Sequence, residues 1–295
     1  MTSGRRDAAK AGLAAADLPY RLDWRAAGIR IGAHRGKVEG TGGLFRDFDT
    51  LMRSPDPRRI DLRMSMRDPN GSLYVRRFEQ KTAIAVYALV DLSASMSFAG
   101  GVAKMQIVAD LCATLAASTR RIGDAFGLIG ANEHIVPEFL LPATRSRGGE
   151  ADMVERLRAY VPVGRGTEGL IEAANYLAGR RKLVFVLSDF YMPLATIERL
   201  FEALSQHDVV PIVLKDRREV EDLPRYGLVS LADLETGRRR LFAMRPALRE
   251  KWHRDAAEQM RALNALAARY GRGAFEILGP IDWDRLSAYL MGEAA

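Results

Sequence analysis

The pattern of apolar and polar positions changes character near residue 81. From Lys81 onward, short apolar runs alternate with stretches whose apolar residues recur every three or four positions, as strands alternating with helices would produce. The pattern predicts a strand over Ala83 to Val90, then a helix over about Ala103 to Thr119 with Ile107, Val108, Leu111, Cys112 and Leu115 on one face. Strands at Ala125 to Gly130 and His134 to Leu140 follow, then helices at about Met153 to Tyr160 and Glu168 to Ala178. Leu183 to Leu187 is continuously apolar, as a strand covered on both faces must be. A helix at about Leu194 to Gln206 and a strand at Val209 to Leu214 come next. Tyr226 to Asp233 and Arg239 to Ala243 read as a hairpin about Glu235-Thr236-Gly237. A long helix from Pro246 to Tyr270, punctuated by Pro246 and Gly271, precedes a strand at Ala274 to Leu278 and a helix at Trp283 to Leu290. Such alternation implies an α/β fold: a doubly wound, mostly parallel sheet with helices on both faces, here over residues 81–292.

Upstream the texture differs. Residues 1–27 read as an Ala-rich, polar tail, and 28–80 as a small β-rich module. Gly28, Gly32, Gly36, Gly40, Gly42 and Gly43 break this region into short segments such as Ile29-Arg30-Ile31 and Lys37-Val38-Glu39. Two more strands are expected at Arg59 to Met64, with Ile60, Leu62 and Met64 on one face, and at Ser72 to Phe78. Asp68-Pro69-Asn70-Gly71 between them is a turn.

Composition adds limits. At 295 residues, 48% hydrophobic and 27% charged, the chain has ample material for a core. No apolar run approaches the ~20 residues of a membrane span, and the polar, basic N-terminus lacks the apolar stretch of a signal peptide. A single cysteine, Cys112, sits in an apolar helix as a core residue, so the expected setting is the cytoplasm. Of the net charge of +7, residues 1–80 contribute +6, from 16 Lys and Arg against 10 Asp and Glu. A basic surface can meet nucleic acid, anionic lipid or an acidic protein. Without aromatics interleaved among the arginines, nucleic acid is the less expected partner, and the Asp56 to Asp61 stretch reads as a structural Arg–carboxylate network.

The chemistry concentrates where the first strand of the α/β region ends. In Val86-Tyr87-Ala88-Leu89-Val90-Asp91-Leu92-Ser93-Ala94-Ser95-Met96, a carboxylate and two hydroxyls emerge at a strand's C-terminal end, where open α/β sheets bind ligands. Thr167, in Val163-Gly164-Arg165-Gly166-Thr167-Glu168-Gly169, is a hydroxyl in a glycine-rich loop, and Asp189 follows the apolar strand Leu183 to Leu187. If those two strands are neighbours, Asp91, Ser93, Ser95, Thr167 and Asp189 supply only hard oxygen donors, the kind Mg²⁺ or Mn²⁺ takes. Capping is the competing account, because Asp, Ser and Thr are good turn and N-cap residues. Ser188 reads as a backbone-bonding turn residue. Gly164-Arg165-Gly166 is too short for a phosphate loop, and His34, His134, His207 and His253 are too scattered for zinc.

The set Asp-x-Ser-x-Ser, distal Thr, distal Asp resembles the metal-ion-dependent adhesion site of von Willebrand factor A domains. Upstream, Gly42-Gly43-Leu44-Phe45-Arg46-Asp47-Phe48, Asp56-Pro57-Arg58-Arg59-Ile60-Asp61-Leu62-Arg63 and Leu73-Tyr74-Val75-Arg76-Arg77-Phe78-Glu79 are similar to the signature of the bacterial family called domain of unknown function 58. This chain departs from it at Leu62, where tryptophan is common, and at Pro55-Asp56-Pro57, where Gly-Asp is usual. The resemblance implies a von Willebrand factor A-like fold, a Mg²⁺ or Mn²⁺ site on those five residues, and a non-enzymatic role. It further implies an adaptor or co-chaperone of a MoxR-type AAA+ ATPase, acting in assembly, activation or metal insertion of client proteins, with methanol-oxidation clusters as one setting. The partner or client would supply an acidic metal ligand. Two alternatives remain at this level. One is an Mg²⁺-dependent hydrolase or phosphotransferase, although the lysine and second acidic residue usual for aspartyl-phosphate chemistry are not placed after Asp91 as that chemistry has them. The other is nucleic-acid binding through the basic N-terminal region.

Overall fold

The computed structural model describes residues 18–22, 24, 31–98, 103–145, 148–164, 166–216, 226–232 and 239–292. Most of the N-terminal tail and the Glu235-Thr236-Gly237 turn lie outside them. The chain divides into two compact units, residues 22–84 with 122–124, and the remainder.

The first unit is built on two antiparallel strands, β1 (Ile31–Thr50) and β2 (Tyr74–Thr82), paired from Thr50↔Tyr74 to Ile31↔Thr82. From Ile31 onward the glycine-punctuated region is therefore one long strand with several register shifts, in place of separate short ones, while Gly28 to Arg30 lie outside the described residues. Arg77 fastens the pair through a bidentate fork on Asp47, at 2.7 and 2.6 Å, and a third contact to Asp49 at 3.1 Å. Between the strands, Arg59 to Met64 is not a strand. Asp56 accepts from the Arg58 N–H and opens a 3-10 turn at Pro57–Arg59. Asp61 accepts from the Met64 N–H and opens the short helix α1 (Leu62–Ser65). Two aspartate caps override the alternation of Ile60, Leu62 and Met64, and Leu62 stands exposed. The expected Arg–carboxylate network is present as Arg59–Asp56 at 2.9 Å and Arg76–Asp61 at 2.6 Å. Asp68 caps the predicted turn by accepting from Asn70 and Ser72, and Gly71 takes the positive φ of 67° that the turn requires.

The second unit holds a six-stranded sheet. Its strands are β3 (Ala85–Asp91), β4 (Ala125–Ala131), β5 (Ile135–Thr144), β6 (Leu183–Ser188), β7 (Asp208–Lys215) and β10 (Phe275–Leu278), in the spatial order β10-β7-β6-β3-β4-β5. All neighbours are parallel except β5, an antiparallel edge. Counted along the chain these six run 3-2-1-4-5-6, the doubly wound order, with its reversal between β3 and β6. The remaining helices are α2 (Lys104–Ile122), α3 (Gly148–Ala159), α4 (Glu168–Tyr176), α5 (Leu194–Ala203), α6 (Pro246–Arg269) and α7 (Trp283–Met291). β8 (Gly227–Ala232) and β9 (Arg239–Met244) form the expected antiparallel pair.

Every residue of β6 is buried, as its unbroken apolar run requires. On one face of the sheet, Tyr87, Leu89, Val184, Val186, Val209 and Val213 pack with α4, α5 and α6 through residues such as Leu170, Leu200 and Leu263. Strand alternation turns Val86, Ala88 and Val90 to the opposite face. There α2 buries Ile107, Val108, Leu111, Cys112 and Leu115, and α7 buries Leu286 and Leu290. Burial pushes the Cys112 thiol far up, so it behaves as a small core hydrophobe.

His207, just before β7, is 1% exposed, and neither ring nitrogen makes a well-formed hydrogen bond. Burial first, and then the Lys182 charge, pull its pKa from 6.5 down to about 4. A base whose folded pKa is depressed contributes stability above its unfolded pKa and loses it as pH falls toward the folded one. The wild-type chain is therefore expected to lose up to about 1.4 kcal/mol per pH unit from this group between pH 6.5 and 4. Thermal melts across that range should show a flatter acid limb in His207→Leu.

Candidate functional site

β3 and β6 are parallel neighbours in the register Val90↔Leu187, so Asp91 and the Ser188-Asp189 pair leave the sheet side by side at the topological switch point. Asp91 is fully buried, and both its oxygens are engaged. Oδ1 accepts from the Ser93 N–H at 2.9 Å and Oδ2 from the Ser188 hydroxyl at 2.6 Å. Ser188 also accepts from the Phe190 N–H at 2.9 Å, so the turn role expected for it is present, together with a clamp on Asp91. Ser93 Oγ and Ser95 Oγ lie 3.1 Å apart.

The Thr167 loop is brought alongside by backbone pairing. Ser93 forms a parallel bridge with Gly164, and the Ala94 N–H donates to the Gly164 carbonyl at 2.7 Å. The glycines are there because the loop presses on the β4–β5 turn. A Cβ on Gly164 would sit 2.3 Å from Asn132 Cβ, and one on Gly169 would sit 2.6 Å from the His134 backbone. Thr167 is buried at the start of α4.

These contacts bear directly on the capping account. Thr167 occupies the N-cap of α4, and Ser93 that of the 3-10 turn Ala94–Ser97, yet neither side chain makes a capping hydrogen bond. Their hydroxyls are not spent on helix ends. Asp91, Ser93 and Ser95 are linked by direct hydrogen bonds. Asp189 follows Ser188, which clamps Asp91, and Thr167 lies three residues past the Gly164 that bridges to Ser93. Among the described residues no group of three or more His, Cys, Asp or Glu gathers in metal-binding proximity, so soft or imidazole-rich sites are not on offer. The set is two carboxylates and three hydroxyls, all hard oxygens, which suits a small divalent cation such as Mg²⁺ or Mn²⁺.

Asp189 is fixed by its loop. The Tyr191 N–H donates to Asp189 Oδ1 at 3.2 Å. Phe190 takes a φ of 53°, rare for a bulky residue, with its ring buried against Phe201 and its carbonyl accepting from Gln259. Packing of that ring supports a backbone conformation that aims the preceding carboxylate. Asp189 is 3% exposed, and Lys104 Nζ donates to its Oδ2 at 2.9 Å.

Lys104, 1% exposed, is the residue that sequence reasoning missed. It opens α2 and also donates to the Ser95 carbonyl at 3.3 Å. A signal was present: Lys104 lies three, four and seven positions before Ile107, Val108 and Leu111, on the apolar stripe of the helix. A lysine on that stripe needs a buried anion. A lysine therefore does stand at the site, brought by the first turn of α2 and held on Asp189. Burial, and then the Asp189 charge, raise the Asp91 pKa from 3.8 to about 6 against the Ser188 and Ser93 hydrogen bonds.

A doubly wound α/β domain of von Willebrand factor A type is thereby defined, as the sequence leads one to expect. The family model described as "Protein of unknown function DUF58" matches residues 53–262, and the chain belongs to that family. The uncharacterized protein Rv1480 of Mycobacterium tuberculosis is 28% identical over 97% of this chain and 89% of its own length. The uncharacterized protein in the moxR 3′ region of Paracoccus denitrificans is 32% identical over 35% of this chain and 99% of its own. Among solved structures the chain is similar to the conserved hypothetical protein BatB from Bacteroides thetaiotaomicron. That match has 13% identity, covers 70% of this chain and 97% of the other, and has a TM-score of 0.44.

Two measurements probe this geometry. Gly169→Ala meets rigid backbone, so denaturant unfolding should show a loss of about 1–3 kcal/mol. An aspartate whose folded pKa is raised loses stability as pH rises through the folded value. In chelator at neutral pH, Asp91→Asn should therefore melt above wild type, and the difference should close as pH falls below about 4.

Proposed function

We propose that this chain is a metal-dependent protein-interaction module, with residues 81–292 as the binding domain and 28–80 as a small module ahead of it. Asp91, Ser93, Ser95, Thr167 and Asp189 hold Mg²⁺ or Mn²⁺, and an acidic side chain from a partner completes the coordination. The observation that carries this reading is the hydrogen-bonded set Asp91–Ser93–Ser95 at the end of β3, clamped by the Ser188 that precedes Asp189, together with the N-cap hydroxyls of Ser93 and Thr167 that cap nothing. When bound, the metal supplies a concentrated positive charge at a partly desolvated surface, where a carboxylate is held far more strongly than in water. Ser188 and the Ser93 N–H hold Asp91 in one orientation, while the strained Phe190 turn does the same for Asp189.

The role is docking, not turnover. The partner is a MoxR-type AAA+ ATPase, or a client it acts on in assembly, activation or metal insertion, in the cytoplasm. The place of the Paracoccus relative in a moxR 3′ region supports that pairing. Among the described residues no helix is long and apolar enough to cross a membrane.

Co-purification with a MoxR-type ATPase from the same genome tests the reading. Capture is expected in Mg²⁺, with loss in EDTA and in Asp91→Ala, while circular dichroism shows the variant folded. Equal capture in EDTA would overturn metal dependence. Turnover of a phosphate ester by wild type, abolished in Asp91→Ala, would point to an enzyme instead.

A further inference from the structure

Lys104 poses a problem that docking alone does not explain. A buried ammonium costs several kcal/mol unless it is paired, and this one sits inside the constellation, not beside it. Its Nζ reaches both sides of the site, Asp189 Oδ2 at 2.9 Å and the Ser95 carbonyl at 3.3 Å, with the rings of Tyr191 and Phe98 at 5.5 and 5.9 Å. Ser95 in turn places its hydroxyl against Ser93. The lysine is therefore a resident cation held against two of the five proposed metal-binding residues.

Charge balance gives that position a consequence. With both carboxylates ionised, Asp91, Asp189 and Lys104 sum to a single negative charge. A divalent ion overshoots to a single positive charge, and a carboxylate from outside restores neutrality. Without the lysine, the two aspartates alone would neutralise the metal, and an incoming carboxylate would add an uncompensated negative charge. In a site this dry, one charge a few ångströms away outweighs most hydrogen bonds.

We propose that Lys104 makes divalent-metal occupancy conditional on an acidic partner: its ammonium competes with the metal for Asp189 and leaves the loaded site positively charged until a carboxylate arrives. This rests on the metal reading above and adds the device that couples metal to partner. A lysine serving only as a structural cross-link would affect melting but would leave the carboxylate dependence of metal affinity unchanged.

Calorimetric titration of the full chain with Mn²⁺, with and without excess acetate as the carboxylate probe, separates these roles in wild type, Lys104→Arg and Lys104→Met. Wild type and Lys104→Arg are expected to bind Mn²⁺ weakly alone and more tightly with acetate. Lys104→Met is expected to bind Mn²⁺ alone about tenfold tighter or more, and to gain little from acetate. If it is unfolded without metal yet folds when Mn²⁺ is added, the metal has replaced the missing cation and the proposal stands. If it is folded and binds Mn²⁺ no tighter than wild type, or stays unfolded at saturating Mn²⁺, the proposal is overturned. Asp91→Ala separates the two levels. If wild type binds Mn²⁺ and Asp91→Ala does not, while the lysine variants match wild type, only the inference about Lys104 fails. If no variant, wild type included, binds Mn²⁺, the metal reading fails with it.

Discussion

Two carboxylates, Asp91 and Asp189, are withdrawn from water at the ends of neighbouring parallel strands, and the surrounding structure is arranged around their charge. Isolated, a buried carboxylate takes up a proton instead of staying ionised. Here each has a separate solution. Asp91 receives a backbone N–H and the Ser188 hydroxyl, and its pKa still rises. Asp189 receives a full positive charge, carried in by Lys104 at the first turn of α2. The hydroxyls of Ser93 and Ser95 add two further oxygens beside Asp91, bonded to each other and not to a helix end. That concentration of hard oxygens is the physical basis for proposing a cation there.

The crevice exists because of how the sheet is wound. Reversal of strand order between β3 and β6 sends the chain to opposite faces from adjacent strand ends, leaving their C-terminal edge uncovered by either connection. Close approach does the rest. Gly164 and Gly169 let the Thr167 loop lie directly on the β4–β5 turn, and the bridge from Gly164 to Ser93 ties that loop to the segment that follows Asp91. Rigidity on this side contrasts with solvent access on the other. Tyr191, two residues past the nearly buried Asp189, is 42% exposed.

The unit formed by residues 22–84 with 122–124 follows a different logic, in which local polar contacts decide the backbone. Every aspartate from Asp47 to Asp68 is engaged: with Arg77, with Arg59, with Arg76 and the α1 N-terminus, or with the Asp68 turn. The arginine richness that raises the net charge is thus in part a structural cross-linking system. Leu62, exposed on α1, occupies the position where the family commonly has tryptophan.

Much of the α/β unit was legible in the sequence, because hydrophobic periodicity reports directly on which residues a strand or helix buries. The all-apolar run of β6 and the stripe of α2 came through to within a few residues. Where side-chain capping competes with periodicity the reading failed. Ile60, Leu62 and Met64 alternate like a strand, but Asp56 and Asp61 turn that segment into a 3-10 turn and α1, since a bonded N-terminus outweighs a weak pattern at the surface. Glycine spacing in β1 was misread for a related reason: register shifts absorb irregular positions without ending a strand. Only the tertiary structure could decide that the Ser93 and Thr167 hydroxyls cap nothing, and that the cation at Asp189 comes from 85 residues upstream. Periodicity is a local property of the chain, whereas the balance of buried charge depends on which distant strands and helices the fold makes neighbours.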